Sequence, residues 1–414
     1  WVARMIIAGL EFMGPEKKEL DSAGIRERIP FKDVYFTGII RDIQGRKMSK
    51  SLGNSPDPLD LINQYGADGL RFSVLSTAPI GQDIRFSEDN VEQGRNFCNK
   101  IWNACRFRQM SGDFDANTGI DPILERIDPG RMDRVDIDML GRLLATMESV
   151  AQAMRSYHFT QITQLLYGFF WTDFCDWYLE ASKPKLKNRH AKQTCLAVQD
   201  LVIRQFLSML HPVCPFVTEE LWHLMGYADD NSLLVEADPV DAAALSSALA
   251  AKGIRDYDDA AAEIHAIRES ITLMRSLKAD FNLSANRSVR FVCVPKVDFS
   301  DAVRDHEATL TSLVGIGTLD YQTAAPDQMP AIVTPVGSFY LDIRDAIDVD
   351  KERERISGEI AKLDGIIKGI KTKLNNPGFV ANAPEKVVDG ARKQLAENQS
   401  TRAQLELMRE RLGG

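Results

Sequence analysis

Two lysines, Lys47 and Lys50, lie three residues apart in a short segment that Gly45 and Gly53 flank. Glycines let the backbone approach a ligand closely, and the hydroxyl and N–H groups between them can bind phosphate oxygens. At an effective dielectric near 20, two unit charges about 4 Å apart interact by roughly 4 kcal/mol, enough to stabilise charge on a departing pyrophosphate. The segment therefore predicts a phosphate-binding loop. For a Lys-x-x-Lys pair alone, a solvated basic turn is the alternative.

The chain on either side of this loop predicts the elements that hold it. Residues 30–40 are rich in aromatic and β-branched side chains and predict a strand that leads into the loop. Pro56 and Pro58 break the chain after it, and we expect a helix near 58–65. Residues 1–13 are apolar and predict a strand or helix of a larger core, and 66–86 are expected to form a short connection.

Helical periodicity dominates the next region of the chain. Residues 88–110 carry apolar side chains at the spacing of an amphipathic helix. The polar segment 111–134, with its Gly and Pro residues, is expected to be a loop. Further helices are predicted at 135–156, 159–181, 190–210 and 215–226. Short connections between helices favour a bundle of four or five helices.

The last part of the chain predicts two further structures. A helix at 258–277 and three strands, at 290–295, 332–334 and 338–342, indicate a small α+β module whose strand order stays open. After it, apolar residues at alternating spacings of four and three predict a coiled-coil seam: Ile356, Ile360, Leu363, Ile367, Ile370 and Leu374. Residues 375–378 end this helix, and Pro384 begins a second one. The second helix has a weaker seam, which the polar residues Asn398 and Arg402 interrupt. Its apolar residues are Val388, Ala391, Leu395, Leu405, Met408 and Leu412.

Aromatic and acidic side chains inside the predicted bundle suggest packing more than chemistry. Asp173 and Asp176 lie three apart, as paired carboxylates do in acid–base catalysis, but their aromatic surroundings favour capping or ion pairing within the bundle. Five large aromatic residues are predicted to lie in the core: Trp102, Phe170, Trp171, Phe174 and Trp177.

Composition narrows the class of protein. The 414 residues carry a net charge of −9, with 44% hydrophobic and 26% charged residues, typical of a soluble protein of two to four domains. No apolar run is long enough to cross a membrane, and no signal peptide is found. Six scattered cysteines without a C-x-x-C pair are expected to be reduced thiols in a cytoplasmic protein. Basic runs at 41–50, 100–108 and 183–192 can contact phosphates or simply form solvated faces.

Residues 45–54, GRKMSKSLGN, resemble the KMSKS signature of the class I aminoacyl-tRNA synthetases. Further segments look like the valine, isoleucine and leucine branch of that family: 57–62, 65–71, 96–107, 173–180 and 211–222. The chain is similar to the bacterial-type valyl-tRNA synthetases over nearly its whole length. Two positions depart from the family pattern, since Thr37 precedes Gly38 where a His is usual and Gly69 stands where an Ala is usual.

The resemblance implies a mainly α fold in four parts. These are the C-terminal remnant of a Rossmann-like catalytic domain with the KMSKS loop (1–86), an anticodon-binding helical bundle (87–237), a small α+β linker module (238–346) and an antiparallel coiled-coil tRNA-binding arm (347–414). The family's nucleotide-binding H-x-G-H element and editing domain are not visible, and the first histidine is His158. We therefore expect the C-terminal part of a longer enzyme, inactive alone.

The resemblance also implies roles for single residues. Lys50 would contact the ATP phosphates and stabilise charge on pyrophosphate, with Lys47 assisting. Met48, Ser49 and Ser51 would complete the ATP-binding loop. Phe107 is expected to stack on an anticodon base, and two neighbouring arginines, Arg106 and Arg108, are expected to help bind it. A core position for Phe107 is the alternative.

The implied activity is that of a valine–tRNA ligase that works through valyl-adenylate. Its substrates would be ATP with Mg²⁺, valine and tRNA(Val), and we expect a cytoplasmic monomer with no bound metal and no membrane contact. Two other readings stay open at this point: an isoleucyl- or leucyl-tRNA synthetase, and a non-catalytic RNA-binding module. For the C-terminal hairpin, a dimerisation coiled coil is the alternative interpretation.

Overall fold

A computed structural model describes residues 1–12, 31–78, 81–112, 119–227, 233–234, 240–326, 329–343, 349–376, 378 and 384–411. The described residues are mainly helical, with one two-stranded and one four-stranded sheet, which confirms the mainly α prediction. They form two compact units. The first comprises Trp1–Arg106, Thr146–Phe169 and Gln205–Pro239, and the second comprises Phe107–Ala145, Phe170–Arg204 and Val240–Gly414.

The chain up to Leu224 forms ten α-helices and two short strands among the described residues. In chain order they are α1 (Val2–Phe12), β1 (Ile40–Arg41), α2 (Pro58–Tyr65), α3 (Ala67–Ser76), β2 (Ile84–Arg85), α4 (Glu88–Met110), α5 (Ile120–Glu125), α6 (Arg134–Arg155), α7 (Phe159–Tyr167), α8 (Leu179–Leu186), α9 (Lys192–Leu210) and α10 (Pro215–Leu224). A π-helical segment, Gly168–Tyr178, joins α7 to α8.

The strand predicted before the lysine loop is much shorter than expected. Only Ile40–Arg41 is a strand, parallel to Ile84–Arg85, and 31–39 have no regular structure. The cause lies near the end of the segment. The Ile39 N–H donates to Asp83 Oδ1 at 3.1 Å, and a Cβ on Gly38 would lie 1.8 Å from the Gln82 carbonyl oxygen. A side chain of the neighbouring segment thus takes the N–H that a longer strand would pair.

Aromatic side chains form the core of the first unit around Phe97, which is wholly buried. Its ring centroid lies 4.9 Å from that of Phe72, 5.0 Å from that of Tyr167 and 6.3 Å from that of Phe206. These rings come from α3, α4, α7 and α9, so the packing holds these four helices together. Trp102 faces away from this core and is 40% exposed, so its predicted core position is wrong.

The predicted helices are confirmed with shifted bounds, and two segments between residues 66 and 134 hold helices that were missed. The predicted connection 66–86 contains α3, and the predicted loop 111–134 contains α5 and a 3-10 turn, Pro129–Arg131, while 113–118 lie outside the described residues. In the π-helical segment, Phe170, Phe174 and Trp177 are buried as predicted and Trp171 is half-buried.

The second unit also contains a four-stranded sheet. Its elements are α11 (Ala242–Ala251), α12 (Tyr257–Asp280), β3 (Arg290–Pro295), α13 (Ser300–Asp305), α14 (Glu307–Val314), β4 (Thr318–Tyr321), β5 (Ala331–Val333) and β6 (Gly337–Asp342). The strand order is β4-β3-β6-β5, with β3 parallel to β4 and antiparallel to β6. The sequence predicted neither α11 nor β4 and the two helices before it.

Two long helices, α15 (Val349–Leu374) and α16 (Glu385–Arg411), pack on each other as the predicted hairpin. The α15 seam is confirmed, since Ile356, Ile360, Ile367 and Ile370 are buried. On α16 only Val388 among the described seam residues is buried, and the side chains of Met408 and Leu412 lie outside the described ones.

Within the described part of the chain, no helix is long and apolar enough to cross a membrane.

Candidate phosphate-binding loop and RNA-binding cleft

Asp42 organises the start of the lysine loop. Its Oδ1 accepts from the N–H groups of Gln44 (3.1 Å) and Arg46 (2.8 Å), and its Oδ2 accepts from Arg46 Nε at 2.7 Å. A hydrogen bond from Asn54, followed by the bonds and charge of Arg46, lowers the pKa of Asp42 to about 2 against the effect of its burial. The carboxylate therefore stays ionised and folds residues 42–46 into a turn, in which Gly45 has a φ of 81°.

Asn54 joins the two ends of the loop. Its Nδ2 donates to Asp42 Oδ2 at 3.0 Å and to the Lys47 carbonyl at 3.3 Å, while its Oδ1 accepts from the Ser49 N–H at 2.9 Å. One amide side chain thus holds the backbone on both sides of Met48. The sequence predicted that Asn54 either shapes the loop or offers hydrogen bonds to a ligand. Its position in the motif was visible, but the pairing with Asp42, twelve residues earlier, was not.

Ser49 and Gly53 close the second half of the loop as a single 3-10 turn, Lys50–Leu52. Ser49 Oγ accepts from the Leu52 N–H at 3.3 Å and lies 3.1 Å from Ser51 Oγ. Gly53 ends the turn at a φ of 62°, in the left-handed region that favours glycine. Asp57 then caps α2 by accepting from the Leu59 N–H at 2.9 Å.

Lys47 and Lys50 are both exposed on this frame. Neither ammonium group has a hydrogen-bond or ion-pair partner among the described residues. Met48 is half-buried and lines a cleft of about 470 Å³ on one side of the loop, together with Asp42, Asn54 and Glu88. The backbone of the loop is held by Asp42 and Asn54, so the two cations can move toward an anion without breaking an ion pair within the described part of the chain.

Arg108, predicted to contact the anticodon, is wholly buried, and that prediction is wrong. Its NH2 group donates to Asp200 Oδ2 at 2.7 Å, and Arg126 bonds the same oxygen at 3.3 Å. Breaking a buried pair of this kind typically costs about 3–5 kcal/mol. The residue stabilises the second unit and is closed to RNA. Its neighbour Arg106 is exposed.

Phe107 is half-buried and lines an open cleft of about 650 Å³ in the second unit. The lining includes three basic residues, Lys183, Lys187 and Arg287. Lys183 is paired with Glu180 at 2.6 Å, whereas Lys187 and Arg287 are exposed. An aromatic wall beside exposed cations is the arrangement that binds unpaired nucleotides, by stacking and by phosphate attraction.

Lys278 bonds to the backbone at one edge of this cleft, and no role was predicted for this lysine from the sequence. Its buried ammonium group donates to three carbonyls, those of Asn286 (2.8 Å), Val314 (3.3 Å) and Gly315 (2.6 Å). Burial lowers the pKa of Lys278. A signal was present, because Lys278 continues the helical spacing of Ile271 and Met274 on the buried face of α12.

The predicted structural role of Asp173 is confirmed. Its Oδ1 lies 2.9 Å from Arg268 NH1 and 3.3 Å from Arg142 NH1 in the second unit. It therefore belongs to an ion-pair network of the second unit.

Three family models match successive parts of the chain. They are tRNA synthetases class I (I, L, M and V) over residues 1–87, the anticodon-binding domain of tRNA ligase over 136–293 and the valyl tRNA synthetase tRNA binding arm over 348–413. The first model contains the lysine loop, and the third contains the described hairpin.

Curated relatives are similar over nearly all of the chain. The valine–tRNA ligase of Chlorobaculum tepidum is 35% identical, over 97% of this chain and 43% of the relative. That of Bacillus thuringiensis is 38% identical over 100% and 44%, and that of Geobacter sulfurreducens is 34% identical over 96% and 42%. The chain thus spans less than half the length of these relatives.

Among solved structures, the chain is similar to a ternary LeuRS–tRNA–LeuAMS complex of Agrobacterium radiobacter. The identity is 23% and the TM-score 0.39, over 53% of this chain and 25% of that chain. A likeness of this size is no guide to function.

Proposed function

We propose that this chain, which belongs to the valyl branch of the class I tRNA synthetases, is the C-terminal part of a valine–tRNA ligase. In this proposal it supplies the ATP-phosphate loop and the tRNA-binding surfaces of a longer enzyme and is inactive alone. The observation that carries the proposal is a pair of exposed ammonium groups, Lys47 and Lys50, which have no partner among the described residues and lie on a backbone held by Asp42 and Asn54.

In this proposal the loop stabilises the negative charge that develops on pyrophosphate. The valine carboxylate attacks the α-phosphate of ATP, and negative charge accumulates on the departing pyrophosphate. Lys50, supported by Lys47, would receive that charge, and hydrogen-bond donors such as Ser51 would complete the contact. Losing one preorganised electrostatic contact of this kind typically costs about 10²–10³ in rate.

The cleft beside Met48 is a poor place for the phosphates themselves. Three carboxylates line it, those of Asp42, Glu88 and Asp89, and would repel a polyphosphate. The phosphates are therefore expected at the lysines. We propose that Mg²⁺ arrives bound to ATP.

For tRNA, we assign two surfaces of the second unit. The cleft lined by Phe107, Lys187 and Arg287 would take an unpaired base and its phosphate, with exposed Arg106 close in sequence. The α15–α16 hairpin would contact the tRNA body, in keeping with the family model matched there. We also propose that the chain is divided into catalytic remnant, bundle, α+β module and arm, and that the enzyme is a cytoplasmic monomer.

Amino acid choice is tested by pyrophosphate exchange on the complete enzyme with valine, isoleucine and leucine. We expect exchange with valine to exceed exchange with the other two amino acids. A preference for isoleucine or leucine would replace the proposal with another member of the branch. No exchange with any of the three would favour a non-catalytic RNA-binding module.

The arm is tested by removing residues 350–414 from the enzyme. We expect weaker tRNA binding in a filter assay and unchanged valine-dependent exchange, because the lysine loop lies in the other unit. Unchanged tRNA affinity, together with loss of a dimer in sedimentation, would show that the hairpin is a dimerisation coiled coil.

A further inference from the structure

Lys278 joins two segments that line the RNA-binding cleft of the second unit. This lysine lies on α12 and is 1% exposed. Its ammonium group donates to the Asn286 carbonyl at 2.8 Å and to the Gly315 carbonyl at 2.6 Å. Gly315 lines the cleft, and Asn286 immediately precedes Arg287, which lines it as well. The ammonium group therefore bridges the end of α14 and the turn that carries Arg287.

Helix α14 can end without a cation. The N–H groups of Gly315 and Ile316 both donate to the Thr311 carbonyl, at 3.0 and 3.1 Å. Gly315 has a φ of 68°, the left-handed conformation with which helices commonly end. Burying an ammonium group is costly unless its hydrogen bonds are satisfied, and capping a helix that already closes itself does not explain that cost. What Lys278 adds is the connection to Asn286.

The turn on the other side of the bridge is held on both sides of Arg287. The Asn286 Oδ1 accepts from the Ser288 N–H at 2.9 Å and from the Ser288 hydroxyl at 2.7 Å. Arg287 itself is exposed, and its stem passes the end of α14, since a Cβ on Gly315 would lie 4.0 Å from Arg287 Cγ. The bridge and the turn together determine where the guanidinium group leaves the cleft wall.

We propose that Lys278 is a positioning residue for RNA binding. By bridging the end of α14 and the turn before Arg287, it holds the guanidinium group in the cleft, ready for a phosphate of the nucleotide beside Phe107. Lys278 is buried and does not touch the RNA itself. Ordering a side chain on binding weakens affinity, and a contact that is fixed in advance avoids part of that loss. The inference rests on the proposed binding of tRNA in this cleft.

The test measures the affinity of the complete enzyme for tRNA(Val) by filter binding over a range of salt concentrations. Lys278→Met removes the bridge and keeps an unbranched apolar side chain in the buried space, and Arg287→Gln removes the phosphate contact. We expect each variant to lower the slope of log K against log salt by roughly 0.7–0.9. The double variant should lower the slope no further, because both changes remove the same contact.

Arg275→Gln is the matched control. Arg275 lies one turn before Lys278 on α12, and its Nε donates to the Leu313 carbonyl at 2.7 Å. The variant removes a cation from the same end of α14 but leaves the bridge intact, so its slope should equal that of the unaltered enzyme. A normal slope for Lys278→Met would overturn the proposal. So would a double variant with a lower slope than either single variant, because Lys278 would then act apart from Arg287.

The same measurements distinguish a failure of this inference from a failure of the proposed function. If Arg287→Gln leaves the slope unchanged, the cleft does not bind RNA, and the proposed role of the cleft fails together with the inference. If Arg287→Gln lowers the slope and Lys278→Met does not, the inference alone fails.

A second variant keeps the inference testable if Lys278→Met does not fold. Asn286→Ala removes the two hydrogen bonds from Ser288 at a half-buried position and leaves Lys278 unchanged. We expect this variant to lower the slope as well, because the turn that carries Arg287 is released from its other side. An unchanged slope would show that Arg287 needs no held turn and would overturn the proposal.

Discussion

At the scale of single residues, the candidate site depends on two side chains that hold the loop, Asp42 and Asn54. Lys47 and Lys50 can remain available to an anion because Asp42 and Asn54 hold the loop from within. The motif let the sequence predict the two lysines, since residue type and spacing carry that signal. Asn54's partner and the burial of Arg108 could not be predicted, because each depends on a residue that only folding brings near: Asp42 and Asp200.

The ionisation of Asp42 gives a direct test of this internal frame. Asn54→Ala should raise the pKa of the Asp42 carboxyl from about 2 toward the ordinary value near 3.9, because its largest stabilising hydrogen bond is removed. Carboxyl NMR titration measures the change. Asn103→Ala, at an exposed position of α4, is the control and should leave the titration unchanged.

The lowered pKa of Asp42 also determines how the stability of the lysine loop depends on pH. Because the folded-state pKa of Asp42 lies below the unfolded one, the contribution of Asp42 to stability is present above about pH 4 and disappears as the pH falls toward 2. A titration midpoint of Asp42 near 3.9 in the unaltered protein would show that the frame does not form.

At the scale of elements, strong periodic patterns were predictable and short contact-dependent elements were not. The coiled-coil seam of α15 and the amphipathic pattern of α4 were enough to predict both helices from the sequence. Strand β4 has four residues and takes its structure from pairing with β3, which the local sequence does not encode. Helix α3 was missed although Asp68 and Arg71 lie in a recognised motif, because these residues act on the segment 212–217 across the fold.

The crossing of α3 and α4 makes a prediction about glycine. Gly94→Ala should destabilise the protein by about 1–3 kcal/mol, because the added Cβ would lie 2.3 Å from a backbone oxygen that cannot move cheaply. Gly365→Ala on α15 is the matched control, with nothing described within 4 Å, and should stabilise by about 0.5–1 kcal/mol. Urea unfolding measures both. Equal effects of the two substitutions would show that the crossing is not as close as described.

At the scale of the whole molecule, function depends on where the charges lie. The net charge is −9, yet exposed cations are found at the lysine loop and around Phe107. Composition could not locate them, because the basic runs of the sequence include both buried and exposed side chains. Arg108, within one such run, is buried and paired with Asp200, whereas Lys187, within another, is exposed.

The cleft predicts a salt-dependent contribution to RNA affinity. Replacing Lys187 and Arg287 together by Gln should weaken tRNA binding and lower the slope of log K against log salt by roughly 0.7–0.9 for each phosphate that is no longer neutralised. Arg255→Gln, at an exposed position of the same unit, is the control. If the double variant and the control give the same slope, the cleft does not bind RNA.

The separation of chemistry from RNA binding on one chain is tested most directly by valine-dependent pyrophosphate exchange in the complete enzyme carrying Lys50→Ala. We expect a loss of about 10²–10³ in exchange rate with tRNA affinity unchanged, while Lys32→Ala, at an exposed lysine outside the loop, should keep the normal rate. An exchange rate for Lys50→Ala within about twofold of the unaltered enzyme would contradict it.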